Sequence, residues 1–179
     1  MATTRDTIID SAIAILDEWG LADLSMRRVA EAAGIQAASI YYHFANKQSL
    51  LAAVSDRLLV NQTDASDLKT WAAELRRTLL AHRDGAEIVS ATLAVELGLH
   101  TPVEDAATIL EKQGLAKGCE YSVAKVFVHF VLGHVFQEQS RARLIELGVL
   151  KSSSEALDGE GFDVGLQILI AGCREMTIR

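Results

Sequence analysis

The sequence predicts an all-α protein. Apolar residues recur every three or four positions from Ile8 to Cys173, the spacing of amphipathic helices. No segment shows the two-residue alternation of a half-buried strand. The single proline, Pro102, follows a threonine and stands where a helix would begin. There is no internal repeat and no glycine-rich phosphate loop.

Each element has its own signal. Ile8, Ile9, Ala12, Ile13, Leu16 and Trp19 give a first helix its inner face, and Gly20 stops it. Ser25 is placed to cap a second helix with Met26, Val29, Ala30 and Ala33 inward, ending at Gly34. A short third helix is expected over residues 36–43. Asn46 caps a fourth over 47–59, with Leu50, Leu51, Val54, Leu58 and Leu59 inward. Residues 61–67 are polar and read as a linker. Helices are then expected over 68–82, interrupted by Gly85, and over 86–97. Thr101 caps the next, with Pro102 first and Glu104 and Asp105 where the helix dipole favours acids; it ends at Gly114. The longest helix is expected over about 116–147, a loop over 151–161, and a last helix over 162–177.

Half of the 179 residues are apolar and 23% are charged, which excludes a disordered or fibrous chain. That leaves one ordinary domain or two small ones. Cys119 and Cys173 are too few for a disulfide scaffold and lack zinc-type spacing, so packed thiols are expected. The N-terminus has no basic flank leading into an apolar run. The longest apolar stretches, 126–136 and 166–173, are too short to span a bilayer, and a soluble cytoplasmic protein is expected. The net charge of −7 weighs against nucleic acid. Yet residues 24–51 carry Arg27, Arg28 and Lys47 against Glu31 alone, a small basic patch on an acidic body.

Residues 25–43 have the layout of a helix-turn-helix. Ala32 and Ala33 are small enough for a close crossing, Gly34 tolerates the turn, and Ile35 and Ile40 pin the second helix. Gln36, Ala37, Ser39, Tyr41, Tyr42 and His43 are left facing outward. Adjacent tyrosines and a histidine suit phosphate hydrogen bonds and contact with thymine methyl groups. The same geometry occurs in proteins that bind no DNA, and spacing alone leaves both readings open.

The run LSMRRVAEAAGI from Leu24 to Ile35, then SIYYHFANK from Ser39 to Lys47 and Leu50-Leu51, closely resembles the N-terminal domain of tetracycline-repressor-type transcription regulators. LLAHRDGA from Leu79, Gly114, HFVLG from His129, Glu138-Gln139 and FDVGL from Phe162 resemble the effector-binding half of the tetracycline-repressor branch. The resemblance covers most of the chain. It implies an all-α homodimer that binds double-stranded operator DNA. A three-helix DNA-binding domain with the helix-turn-helix is expected over 1–46, and a larger helical effector-binding and dimerisation domain over 47–179. An effector entering the larger domain would shift the helix carrying Lys47 and move two reading heads apart. Arg27, Gln36 and Ala37 fall where base contacts are expected. Ser25, Met26, Ser39, Tyr41, Tyr42, His43 and Lys47 fall where phosphate contacts and docking are expected. Arg27 suits a bidentate guanine contact, because its planar fork fits O6 and N7.

The tetracycline–magnesium pocket of that branch is not reproduced. Its metal-ligating histidine falls at Val89, and the glutamate holding metal-bound water falls at Gln137. The drug-reading asparagine falls at Trp71 and its aromatic partner at Leu75. With Thr92, Leu93, Tyr121, Val128, His129 and Phe136, these positions imply a metal-free apolar or aromatic effector and no cofactor. The shortened 148–161 segment suggests that a pocket-covering helix is missing.

Other residues have plainer readings. His129 is expected to be a core or pocket histidine, and His134 with Glu138 an i, i+4 pair. Trp71 could stack an effector or simply fill the core. Helices around 123–136 and 162–176 are apolar on too many faces for a monomer, and Gly133, Gly165, Ala171 and Gly172 leave smooth places for crossing. A homodimer through these two helices is expected, and hence a pseudo-palindromic operator. An enzyme is disfavoured, since no nucleophile–base set, metal cluster or phosphate loop is present. A helical small-molecule-binding protein with vestigial DNA binding is the remaining alternative.

Overall fold

The structure, a computed structural model, describes residues 4–60, 65–151 and 159–177. Among them every regular element is helical: α1 (Thr4–Trp19), α2 (Met26–Ala32), α3 (Lys47–Leu59), α4 (Leu68–Leu80), α5 (Gly85–Val95), α6 (Pro102–Lys112), α7 (Glu120–Glu146) and α8 (Gly159–Thr177). Short 3₁₀ turns stand at Leu21–Asp23 and Ser39–Tyr42. The all-α expectation holds. Residues 61–64 of the expected linker and 152–158 of the expected loop lie outside the described residues. None of the described helices is long and apolar enough to cross a membrane.

The chain divides into two compact units: Met1–Val60 with Thr78–His100, and Asn61–Arg77 with Thr101–Arg179. In the first, α1, α2 and α3 close over Ile8, Leu16, Leu24, Val29, Ile40, Phe44, Leu50 and Val54, each almost fully buried. Burial at each such position is worth about 1.5–3 kcal/mol. Ile88 of α5 belongs to the same cluster. The end of α1 is tied to the turn before α5. The Leu21 N–H donates to Asp84 Oδ2 (2.8 Å), and Asp17 holds His82 Nδ1 (3.0 Å) and accepts from the Arg83 N–H (3.2 Å). Gly85 is not an interruption but the first residue of α5, where a Cβ would overlap the Leu79 carbonyl.

In the second unit α6 and α7 form the main pairing, with α8 against α7. Trp71, Leu75, Ala106, Leu110, Phe127, Val128, Val131 and Val135 are buried. α4 is capped by Asp67, which accepts from the Thr70 N–H and hydroxyl (both 2.9 Å); these bonds hold its carboxyl below the usual range. α7 starts at Glu120, later than expected. Positive φ at Gly114, Ala116 and Gly118 breaks the helix there. The Glu120 carboxylate, lowered in pKa by its own backbone N–H and that of Gly118, fixes the new start (2.8 Å to Gly118). α8 begins at Gly159 rather than at Phe162. A Cβ on Gly165 would strike the Phe130 ring, so this glycine serves an α7–α8 crossing within the chain.

One buried polar cluster stands out in this unit. Glu138, 5% exposed, accepts three bonds from Arg76 Nε and Nη2 at 2.8–3.1 Å, and His134 Nε2 lies 3.0 Å from the same carboxylate. The expected His134–Glu138 pair is present; Arg76 was not foreseen. Phe162 stacks on Phe130 (5.4 Å between centroids) and lies beneath the Arg76 guanidinium (5.1 Å).

Candidate DNA-reading site

The reading surface is built by three local devices. Ser25 caps α2, its side chain accepting from the Arg28 N–H at 3.2 Å, which starts the helix one residue before Arg27. α2 ends in a Schellman motif: the Ile35 N–H reaches the Ala30 carbonyl (3.0 Å) and the Gly34 N–H the Glu31 carbonyl (3.2 Å). Gly34 takes φ 69° there, which fixes where the chain turns. Finally, Asn46 and Ser49 form a reciprocal capping box (2.9 and 3.2 Å) that holds Lys47 as the first residue of α3.

Between these devices the sequence suggested a helix over 36–43, and the structure corrects this. Ser39 N–H bonds to the Gln36 carbonyl (2.8 Å), and a 3₁₀ turn follows over Ser39–Tyr42. Ile40 and Phe44 are both buried, and the Tyr-Tyr-His between them has modest helix propensity, so only a short turn forms there. Phe44 was missed as an anchor from sequence, although its spacing from Ile40 was the available signal.

The residues expected to meet DNA all belong to the first unit. Ser25, Arg27, Gln36, Ala37, Tyr41, Tyr42 and His43 are exposed, Tyr42 at 90%. Ser39 and Lys47 are half-buried. Met26 is turned partly inward against the core, so a docking role for it lies in support rather than contact.

The charges explain how an acidic chain can present such a surface. Arg28 is held by Asp23 (2.6 Å) and lies over Trp19 (4.9 Å), which makes it a brace. Arg57 takes up Asp6 (2.6 Å) and Asp10 (2.8 Å). Arg27 Nε meets Glu31 at 2.9 Å, with side chains 83% and 62% exposed; the hydrogen bond to Glu31 raises the guanidinium pKa above its ordinary value. An exposed pair of this kind is easily exchanged for a base or phosphate, since water screens it.

The residues assigned to an effector are distributed over both units. Val89 and Thr92 are buried on α5, with Leu93 half-buried. Trp71, Leu75 and Val128 are buried in the second unit. Tyr121, His129, Phe136 and Gln137 lie instead on the exposed side of α7, so His129 is not a core histidine. Trp71 Nε1, Glu74 Oε2 and Thr92 Oγ1 are buried without a hydrogen-bond partner. Glu74 was not foreseen. An open groove of about 520 Å³ along Lys69, Thr70, Ala73, Glu74 and Arg77 is lined by none of the expected residues. Cys173 is buried, which pushes its thiol pKa up, and Cys119 is half-buried.

Residues 8–54 match the bacterial regulatory proteins of the tetR family, and residues 60–156 match the tetracyclin repressor-like C-terminal domain. The chain is 28% identical to the class C tetracycline repressor protein of Escherichia coli, over 97% of this chain and 92% of that protein. Among solved structures it is similar to Mycobacterium smegmatis BioQ, with 31% identity and a TM-score of 0.87 over 98% of this chain and 99% of that one. It is similar also to BioQ with its natural double-stranded DNA operator, at 31% identity and a TM-score of 0.77 over 97% and 98%. With the helix-turn-helix formed in the first unit and both halves of the chain matched, the chain belongs to the tetR family of DNA-binding transcription regulators, and it is not an enzyme.

Proposed function

We propose that this regulator is a repressor that binds a pseudo-palindromic operator as a homodimer and is released by a small apolar or aromatic effector. The observation that carries the DNA half is the set of exposed polar and aromatic side chains held over the buried Ile40 and Phe44 anchors. Arg27, Gln36 and Ala37 would read bases; Ser25, Ser39, Tyr41, Tyr42, His43 and Lys47 would hold phosphates, with Met26 supporting them. Such a protein works where its operator lies, in the cytoplasm.

Support for the dimer comes from the second unit. Val126 and Phe136 on α7, and Val164, Ile168 and Met176 on α8, are half or more exposed. A Cβ on Gly133 or Gly172 would meet open space, so neither glycine is needed within the chain. A glycine inside a helix costs about 0.5–1 kcal/mol, and a close crossing with a second copy offsets that cost.

The effector contacts proposed are Val89, Thr92 and Leu93 in the first unit, and Trp71, Leu75, Tyr121, Val128, His129, Phe136 and Gln137 in the second. Val89 offers a metal ion nothing, and beside it on α5 the unpartnered Thr92 hydroxyl is suited to orienting a polar atom on an otherwise apolar molecule. Because Ile88 shares the core of the reading head, a displacement of α5 would be felt there directly. The effector releases DNA only by the difference in its affinity for the two states.

Titrating the DNA-bound protein with tetracycline, with and without magnesium, tests the pocket chemistry. No magnesium-dependent release is expected. Tight, magnesium-dependent binding that frees the DNA would overturn the effector assignment and leave the DNA reading intact.

A further inference from the structure

We propose that Arg5 is a phosphate-binding residue of the reading head. Nothing in the helix-turn-helix pattern points to it, because it lies in α1, far from that motif in sequence. In the structure its guanidinium sits 4.8 Å over the ring of Phe44, the residue that directly follows the exposed Tyr41, Tyr42 and His43.

Three observations converge on a role in binding DNA. First, Arg5 is exposed in the first turn of α1, at the positive end of the helix dipole, where a cation is unfavourable for the helix itself. Second, the acids beside it on α1 are already engaged: Asp6 and Asp10 both face Arg57, so their charge is answered on α3. Third, the guanidinium lies over the ring of Phe44, which follows directly in the chain on the residues expected to hold phosphates, and its planar donor set suits a phosphate oxygen. Lys47, three residues after Phe44 and first in α3, is a second cation close by in the chain. The partner is the backbone of duplex DNA, so the contact carries no sequence preference.

The test uses the full-length protein and a random-sequence DNA duplex, read by fluorescence anisotropy over a salt series. Each phosphate contact contributes about 0.9 to the slope of log K against log salt. Arg5→Gln should therefore lower the slope by about 2 for a dimer with two heads, and weaken binding roughly 10- to 60-fold at ~0.1 M salt. Arg5→Lys should keep the slope. The melting temperature of Arg5→Gln should stay level or rise slightly, because an unfavourable dipole interaction is removed. An unchanged slope in Arg5→Gln overturns the proposal, as does a loss of binding that Arg5→Lys shares together with a lowered melting temperature. The proposal rests on the DNA-binding reading, and the two fail differently: wild-type protein that ignores the duplex overturns that reading, whereas an unaltered slope in the variant overturns Arg5 alone.

Discussion

Arg27→Ala is expected to cost ~1–3 kcal/mol per half-site on the cognate operator, so that a dimer loses roughly 30- to 2 × 10⁴-fold in affinity. Position and freedom of the side chain set the size of this effect. Ser25 fixes the helix start, the side chain is 83% exposed, and its one close partner, Glu31, is itself exposed and can be exchanged. A guanine contact would also confer preference at one base pair, and the variant should lose that preference. Lys47→Ala, by contrast, should weaken cognate and random DNA about equally, since a phosphate contact is blind to sequence. If Arg27→Ala weakened both DNAs equally, its base-reading role would be wrong.

Glu138→Ala is expected to have the largest effect on stability, about 2–4 kcal/mol in urea unfolding. The carboxylate is buried and accepts three bonds from Arg76, which is itself only 24% exposed. Removing it leaves a mostly buried guanidinium over the Phe162 ring with its main anionic partner gone. The pair need not be stabilising as a whole, because desolvation offsets much of the attraction. Replacing both partners, with Glu138→Leu and Arg76→Met together, should therefore recover most of the loss. A single-variant cost below about 0.5 kcal/mol would place this cluster among ordinary surface pairs.

How much of this could be read from the residues depended on range. Caps are local, so Ser25, Asn46 and Thr101 announced the starts of α2, α3 and α6 directly, and the structure forms all three. Gly34 and Gly114 marked helix ends for the same reason, since a left-handed residue is needed there. The 3₁₀ turn at 39–42 was not legible, because a helix and a tighter turn place Ile40 inward equally well. Partners distant in the chain left no signal: Arg76 and Glu138 are 62 residues apart, and Arg5 meets Phe44 only after α1 folds back. The faces of α7 were ambiguous in another way. Apolar side chains such as Tyr121, Val126 and Phe136 look the same in sequence whether they meet the core, an effector or a second subunit, and in this chain they are exposed. The reading head was legible because its residues are contiguous. The effector residues were less so, because they are gathered from separate helices.

A footprint of the full-length protein on the DNA flanking its own gene tests dimeric operator binding most directly. Two protected half-sites related by a two-fold axis are expected, their centres one helical turn or a multiple of it apart, with two or an even number of chains bound per site. Protection should vanish in Arg27→Ala at protein concentrations that saturate the wild type. A single unpaired protected site occupied by one chain, or no protection on any flanking sequence, would contradict dimeric operator binding.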